Sequence, residues 1–317
     1  MTIKELNKNI FKTSVFFLLF FLIILYLTNY FILSFISSIF FIELVYGSWV
    51  KKNNFTSIII PRNITKVWKP SHYKAEHAAM YKRDEFGLRG DYKNISDIYV
   101  ATIGGSTTDE RWIDEKLTWS HLLQNNLNNY GINIKIANAG VDGQSTLGHI
   151  YNFDFWFNKI PNFKPKFFIL LLGINDSAVL MRDLDSNIIE KFLYRSDFLI
   201  DKKINQRIIR YIKNNSFIYK NYKIKKGHQA ALKYNLIHST KTWEERKQTV
   251  PFKVENDYIT QKYLKDYVSR LDKLIVKVLS FGSIPIIVTQ NTSNHHFLYN
   301  CLKLINIETK RYCKKNY

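Results

Sequence analysis

The sequence predicts an α/β fold, a parallel sheet with helices on both faces. Two observations carry this. Strand-length segments stand at Ile98–Ile103, an apolar run, and at Ile132–Ala137, Phe167–Leu172 and Ile284–Thr289. Segments of helical character alternate with them, around Trp119–Tyr130, Leu147–Phe157 and Tyr258–Phe281. Such alternation argues for crossover connections, hence parallel strands with helices packed on them. In the last helix Tyr263, Tyr267, Leu271, Leu274, Ile275 and Val278 recur at helical spacing, and Gly282 stops it.

Ahead of this pattern lies a different kind of sequence. Lys4, Lys8 and Lys12 precede an apolar stretch from Ser14 to Tyr46 in which Glu43 is the only charge. Its most apolar part, Val15–Ile36, exceeds the ~20 residues needed to cross the hydrocarbon layer. It is too long for a signal-peptide core, and no small-residue cleavage site follows. The expectation is an uncleaved N-terminal transmembrane helix, built either as one tilted helix with an interfacial piece or as two short segments. Lysines on the N-terminal side favour a cytoplasmic N-terminus with the remainder outside the membrane, whereas Lys51 and Lys52 count against that orientation. Residues 1–50 are thus assigned as cytoplasmic stub and anchor, and 51–94, polar and interrupted by Pro61 and Pro70, as a tether. For Arg89, in the turn-rich segment 85–90, a surface charge is favoured over a group at the rim of the site. Residues 95–317 form the α/β domain, with a Lys-rich, aromatic insertion at about 178–258 that interrupts the alternation and reads as helical in pieces, a lid or a partner surface.

Composition narrows the function. Lys and Arg total 46 against 26 acids, a formal charge of +20. The excess is spread along the chain, with no arginine-rich block, so nucleic acid is not an expected partner and a membrane surface or an anionic glycan is favoured. Cys301 and Cys313 are the only cysteines, enough for one bridge or for two free thiols but too few for a disulfide framework or a metal site. No cofactor and no metal are expected.

Three strands end in loops with chemical content. The first gives Gly104-Gly105-Ser106, followed by the helix-start residues Thr107, Thr108 and Asp109. The second gives Asn138 to Thr146, with Gly140 and Gly143. The third gives Gly173-Ile174-Asn175-Asp176. In a parallel sheet these loops share the carboxyl edge, where ligands of open α/β sheets bind. A hydroxyl at a strand end, beside a helix N-terminus and facing small residues and an amide, is the set that acyl transfer needs: a nucleophile with N–H donors for the oxyanion.

Together and in this order, the loops resemble the SGNH hydrolases, also called GDSL esterases and lipases. Gly104-Gly105-Ser106 is similar to the family's first block, with Gly105 where many members carry Asp. Asn138–Gly143 and Gly173–Asp176 are similar to the second and third blocks. The resemblance implies a flavodoxin-like three-layer α/β/α sandwich. It implies Ser106 as nucleophile, with the Ser106 and Gly143 N–H groups and the Asn175 side chain as oxyanion hole. Within the family the chain looks most like membrane-anchored proteins associated with bacterial surface polysaccharides. The implied function is a membrane-anchored serine esterase acting on O-acyl groups, acetyl foremost, of a surface glycan or lipid. The alternative is a catalytically degenerate relative that binds polysaccharide or a partner enzyme at the membrane.

The sequence departs from the family in one respect. The family's last block, Asp-x-x-His, supplies the base and its orienting acid, and none of the eight histidines has Asp three positions before it. The expectation favours a reading that stops short of the block, and of the last helix of the sandwich. The other two explanations are an inactive relative and a substitute base at His295 or His296.

Overall fold

The computed structural model describes residues 3–47, 49, 60–68, 79–177, 180, 208–209, 211–212, 215–219, 221–222, 251, 253–255, 257–294, 296 and 298–316. The chain divides into two compact units, residues 1–56 with 200–239, and residues 57–199 with 240–317. Most of the insertion expected at 178–258 lies outside the described residues.

The first unit contains helices α1 (Ile3–Thr28) and α2 (Phe31–Tyr46). Asn29 takes a left-handed φ of 57°, which ends α1 and turns the chain back. Rings then meet in antiparallel register. Phe21 packs on Phe31, Phe17 on Phe35, and Phe20 lies 4.1 Å from Phe41, centroid to centroid. Of the two arrangements expected, the described residues form the two short segments, joined as a hairpin, and the expectation of a transmembrane helix is corrected. Among the described residues no helix is long and apolar enough to cross a membrane. The physical reason is the break at Asn29–Tyr30, which divides one apolar stretch between two shorter helices.

The second unit holds a four-stranded sheet of order β4-β3-β5-β6, all pairs parallel. Its strands are β3 (Ile98–Gly104), β4 (Lys135–Asn138), β5 (Phe167–Leu172) and β6 (Ile284–Thr289). A separate antiparallel pair, β1 (Ile64–Trp68) and β2 (Ala79–Arg83), lies in the segment read as an irregular tether. The helices are α3 (Ser106–Asp109), α4 (Trp119–Asn129), α5 (Thr146–Phe155), α6 (Ile174–Ser177), α7 (Tyr258–Ser280) and α8 (Tyr299–Asn316). The fold class is mixed α/β, as the alternation requires. No helix was expected after Gln290, but α8 forms there and buries Cys301, Leu302, Ile305 and Thr309.

The layers follow from side-chain contacts. Thr102 of β3 bonds Ser120 of α4 at 2.9 Å, which places α4 on one sheet face. On the other, Phe168 of β5 meets Phe153 of α5 at 5.1 Å and Phe281, just after α7, at 5.8 Å. Phe157 and Phe163 complete this aromatic cluster. Each such ring pair adds about 0.5–1.5 kcal/mol beyond its area, so the cluster anchors α5 and the end of α7 to β5. Ala101, Ile103, Phe168 and Leu170 are fully buried, which centres the core on β3 and β5. Cys301 and Cys313 are both free. Twelve positions apart on one helix, they stand about 18 Å apart, beyond the reach of a disulfide. Burial pushes the Cys301 thiol up to about 11.

Candidate active site

The three loops singled out in the sequence meet at the carboxyl edge of the sheet. β3 ends at Gly104, and Ser106 opens α3, a single turn closed by the Asp109 N–H donating to the Gly105 carbonyl at 2.9 Å. Glu110 then takes a left-handed φ of 43° and stops it. A one-turn helix has little macrodipole, so the donors here act as individual N–H groups and not through the helix-start field expected from the sequence.

The second loop is tied to the first at two points and braced by a third bond within itself. The Val141 N–H donates to the Gly104 carbonyl at 2.9 Å. The Asn138 side-chain Nδ2 donates to the Thr108 carbonyl at 2.5 Å, and its Oδ1 accepts from the Gly140 N–H at 2.8 Å. Gly140 lies so close under α3 that a Cβ there would strike the Asp109 backbone nitrogen. Asn138 and Gly140 are therefore clamps, buried beneath the loop.

The third loop locks onto the second. Asn175 Nδ2 donates to the Gln144 carbonyl at 2.9 Å. The same nitrogen occupies the place where a Cβ on Gly105 would stand. Asp176 accepts from the Thr146 N–H at 3.0 Å and from the Thr146 hydroxyl at 2.5 Å, while Arg270 of α7 bonds both residues. Ser106, Gly143 and Asn175 thus come from three loops pinned to one another. Gly143 sits at φ 72°, where glycine is favoured.

The hydrogen-bond inventory shows what remains unused. No bond among the described residues engages the Ser106 N–H, the Gly143 N–H or the exposed Ser106 hydroxyl. An amide nitrogen carries two hydrogens, and Asn175 spends one on Gln144. A small polar rim with spare N–H donors beside a hydroxyl is suited to holding a developing oxyanion.

Three sets of residues at this site escaped the sequence reading. The first is a buried amide cluster under Gln144. Its Oε1 accepts from Asn152 Nδ2 at 2.9 Å and pairs with His149 Nδ1 at 3.0 Å, while its Nε2 donates to Asn152 Oδ1 at 3.0 Å. Gly148 leaves room for the Gln144 side chain. Burial lowers His149 to about 3, so it stays neutral and serves structure, not proton transfer.

The second set supports α3. Asp109 is buried with Arg83 at 2.6 Å and the Tyr81 hydroxyl at 3.0 Å, both from β2. Burial would raise the Asp109 carboxyl, but the Arg83 guanidinium, with Arg111, outweighs it and holds the group below the usual carboxylate range. Arg83 also donates to the Gly140 carbonyl at 2.5 Å. The third is Arg89, read as a surface charge but 1% exposed. It pairs with Glu115 at 2.9 Å and donates to the Asp109 carbonyl, holding the chain that leaves α3. Of the two histidines considered as substitute bases, His295 lies outside the described residues. His296 accepts from the Leu298 N–H at 3.1 Å and is lowered by burial.

Among solved structures, the chain is similar to AlinE4, an SGNH-hydrolase family esterase, at 14% identity and a TM-score of 0.28, over 72% of this chain and 100% of that one. It is similar to Axe2, an acetylxylan esterase from Geobacillus stearothermophilus, at 12% identity and a TM-score of 0.27, over 60% of this chain and 75% of that one. It is also similar to TesA, at 14% identity and a TM-score of 0.25, over 68% of this chain and 98% of that one. No family model matches the sequence, and no curated protein does.

Proposed function

We propose that the chain is a serine esterase of the SGNH type, acting beside a membrane on O-acyl groups, acetyl foremost, of a glycan or lipid. The observation that carries this is the Asn175 amide, bonded to the Gln144 carbonyl and filling the space at Gly105, one residue before the free Ser106 hydroxyl. In the proposed reaction Ser106 Oγ attacks the ester carbonyl carbon. The tetrahedral oxyanion receives hydrogen bonds from the Ser106 and Gly143 N–H groups and from the second Asn175 hydrogen. Collapse expels the alcohol and leaves an acyl-serine, which water hydrolyses. The Ser106 proton passes to a general base outside the set described above, since His149, lowered to about 3 by burial, is too weak a base and is committed to Gln144.

The test is hydrolysis of p-nitrophenyl acetate by the wild type and Ser106→Ala. Turnover that disappears in the variant, with an unchanged melting temperature, supports the reading. Equal rates overturn it. Glycan binding that survives Ser106→Ala in a protein without turnover would favour the degenerate, binding role instead.

A further inference from the structure

We infer that α1 and α2 form a re-entrant hairpin that enters a lipid bilayer and leaves it on the side it came from. This deepens the membrane attachment proposed above and is independent of the esterase chemistry. The hairpin departs from the pattern of a helix in water: its seam holds buried serines beside paired phenylalanine rings, and its outer faces are apolar. On α2 the buried side carries Ser34, Ser38 and Ile42, while Phe31, Ile32 and Phe40 are 64%, 73% and 67% exposed. A helix in water turns apolar residues inward. Lipid offers no advantage to that arrangement, and helices within it pack through small residues. Ser34 and Ser38 satisfy their hydroxyls on their own helix, donating to the carbonyls of Tyr30 and Ser34 at 2.8 and 2.7 Å. On α1 the outward residues are equally apolar, among them Leu19, Ile23 and Leu27.

Length and charge agree. The 16 residues of α2 rise about 24 Å, short of the ~30 Å hydrocarbon layer. The turn at Asn29–Tyr30 carries no charge, so the tip can sit in lipid. Lys4, Lys8 and Lys12 fall in the first turns of α1, at the end of the hairpin where α2 finishes, and Lys51 and Lys52 follow in the sequence. In a single-crossing reading these two groups oppose each other. A hairpin removes that opposition, because both chain ends then face the same side and the same anionic headgroups.

Glu43, the only charge in the apolar stretch, lies near this base and is satisfied there. Its carboxylate accepts from the Ser216 hydroxyl at 2.7 Å, the Phe217 and Ile218 N–H groups at 2.9 and 3.0 Å, and Trp49 Nε1 at 3.1 Å. Segment 215–222 of the insertion is thereby fastened to the base of the hairpin. An apolar cavity of about 410 Å³ opens between them, lined by Phe17, Ile42, Phe217 and Tyr222 among others.

The experiment uses the full chain with Cys301→Ser and Cys313→Ser, carrying Lys8→Cys, Tyr30→Cys or Lys93→Cys. Each is mixed with sealed phosphatidylethanolamine–phosphatidylglycerol vesicles, floated, and treated with a membrane-impermeant maleimide before and after detergent. Flotation, equal labelling of positions 8 and 93 in intact vesicles, and labelling of position 30 only after detergent are the expected results. Absence of flotation overturns the lipid partner. Flotation with positions 8 and 93 on opposite sides, or with position 30 open to the reagent, overturns the hairpin while leaving membrane attachment standing. The thermal transition of each variant, set against the cysteine-free parent, excludes misfolding as the cause.

Discussion

At the scale of single residues the site turns on Gly105. Its φ of −82° is open to any residue, so the backbone does not demand glycine. The demand comes from Asn175, whose amide nitrogen fills the space a side chain would take. Gly105→Ala should leave the fold intact, displace the amide and lower esterase activity by about 100- to 1,000-fold, the usual effect of losing one oxyanion donor. Unchanged p-nitrophenyl acetate turnover would mean that Asn175 takes no part. His149 gives a second prediction at this scale. Its ordinary pKa is about 6.5, and burial lowers it to about 3 in the folded chain. Between those values the unfolded chain binds a proton that the folded one refuses. Stability therefore falls as pH drops through this window, by up to about 1.4 kcal/mol per unit. Thermal midpoints of wild type and His149→Asn across pH 4–7 would show the contribution as a shallower acid slope in the variant. Both residues were hard to read in the sequence for the same reason. Glycine and histidine carry no label saying whether they face a ligand or an amide inside the protein.

At the scale of elements, legibility followed chemistry. The strands at 98–103 and 167–172 were plain because buried parallel strands are apolar runs, and 284–289 because it is apolar too although every second residue of it is exposed. The loops after β3, β4 and β5 were plain because glycine, asparagine and serine at strand ends have few other uses in such a pattern. The β1–β2 hairpin was not, because β2 turns Tyr81 and Arg83 inward and an inward arginine disguises the alternation. α8 was missed because its buried side uses Cys301 and Thr309 beside Leu302 and Ile305. Arg83 shows what the hidden hairpin does. It joins β2 to Asp109 and to the Gly140 carbonyl, bracing the first two site loops from below. Arg83→Met leaves the buried Asp109 charge without its closest cation. The expected loss is about 3–5 kcal/mol in urea unfolding, the cost of removing one partner of a buried pair. Replacing Asp109 by Asn in that background should recover part of it by removing the stranded charge.

At the scale of the whole molecule, the chain is assembled from two kinds of sequence with different patterns of exposure. The sheet unit is patterned for water, with its aromatics gathered around Phe168. In the helical unit Ser34 and Ser38 are buried and Phe31, Ile32 and Phe40 stand exposed, while other phenylalanines pair across the seam of the hairpin. Hydropathy alone registered the second pattern as a crossing helix, because a sliding average does not see one left-handed residue. Asn29 decides between a rod and a hairpin.

The sheet has a consequence of its own at its rim. Among the described residues β6 is its last strand and pairs only with β5. Ile284, Ile286 and Val288 stand open on alternate positions along it. A bare border trimmed with branched aliphatics is adhesive toward other extended chains. A single lysine at position 286 should therefore lower any tendency of the purified chain to self-associate through this strand.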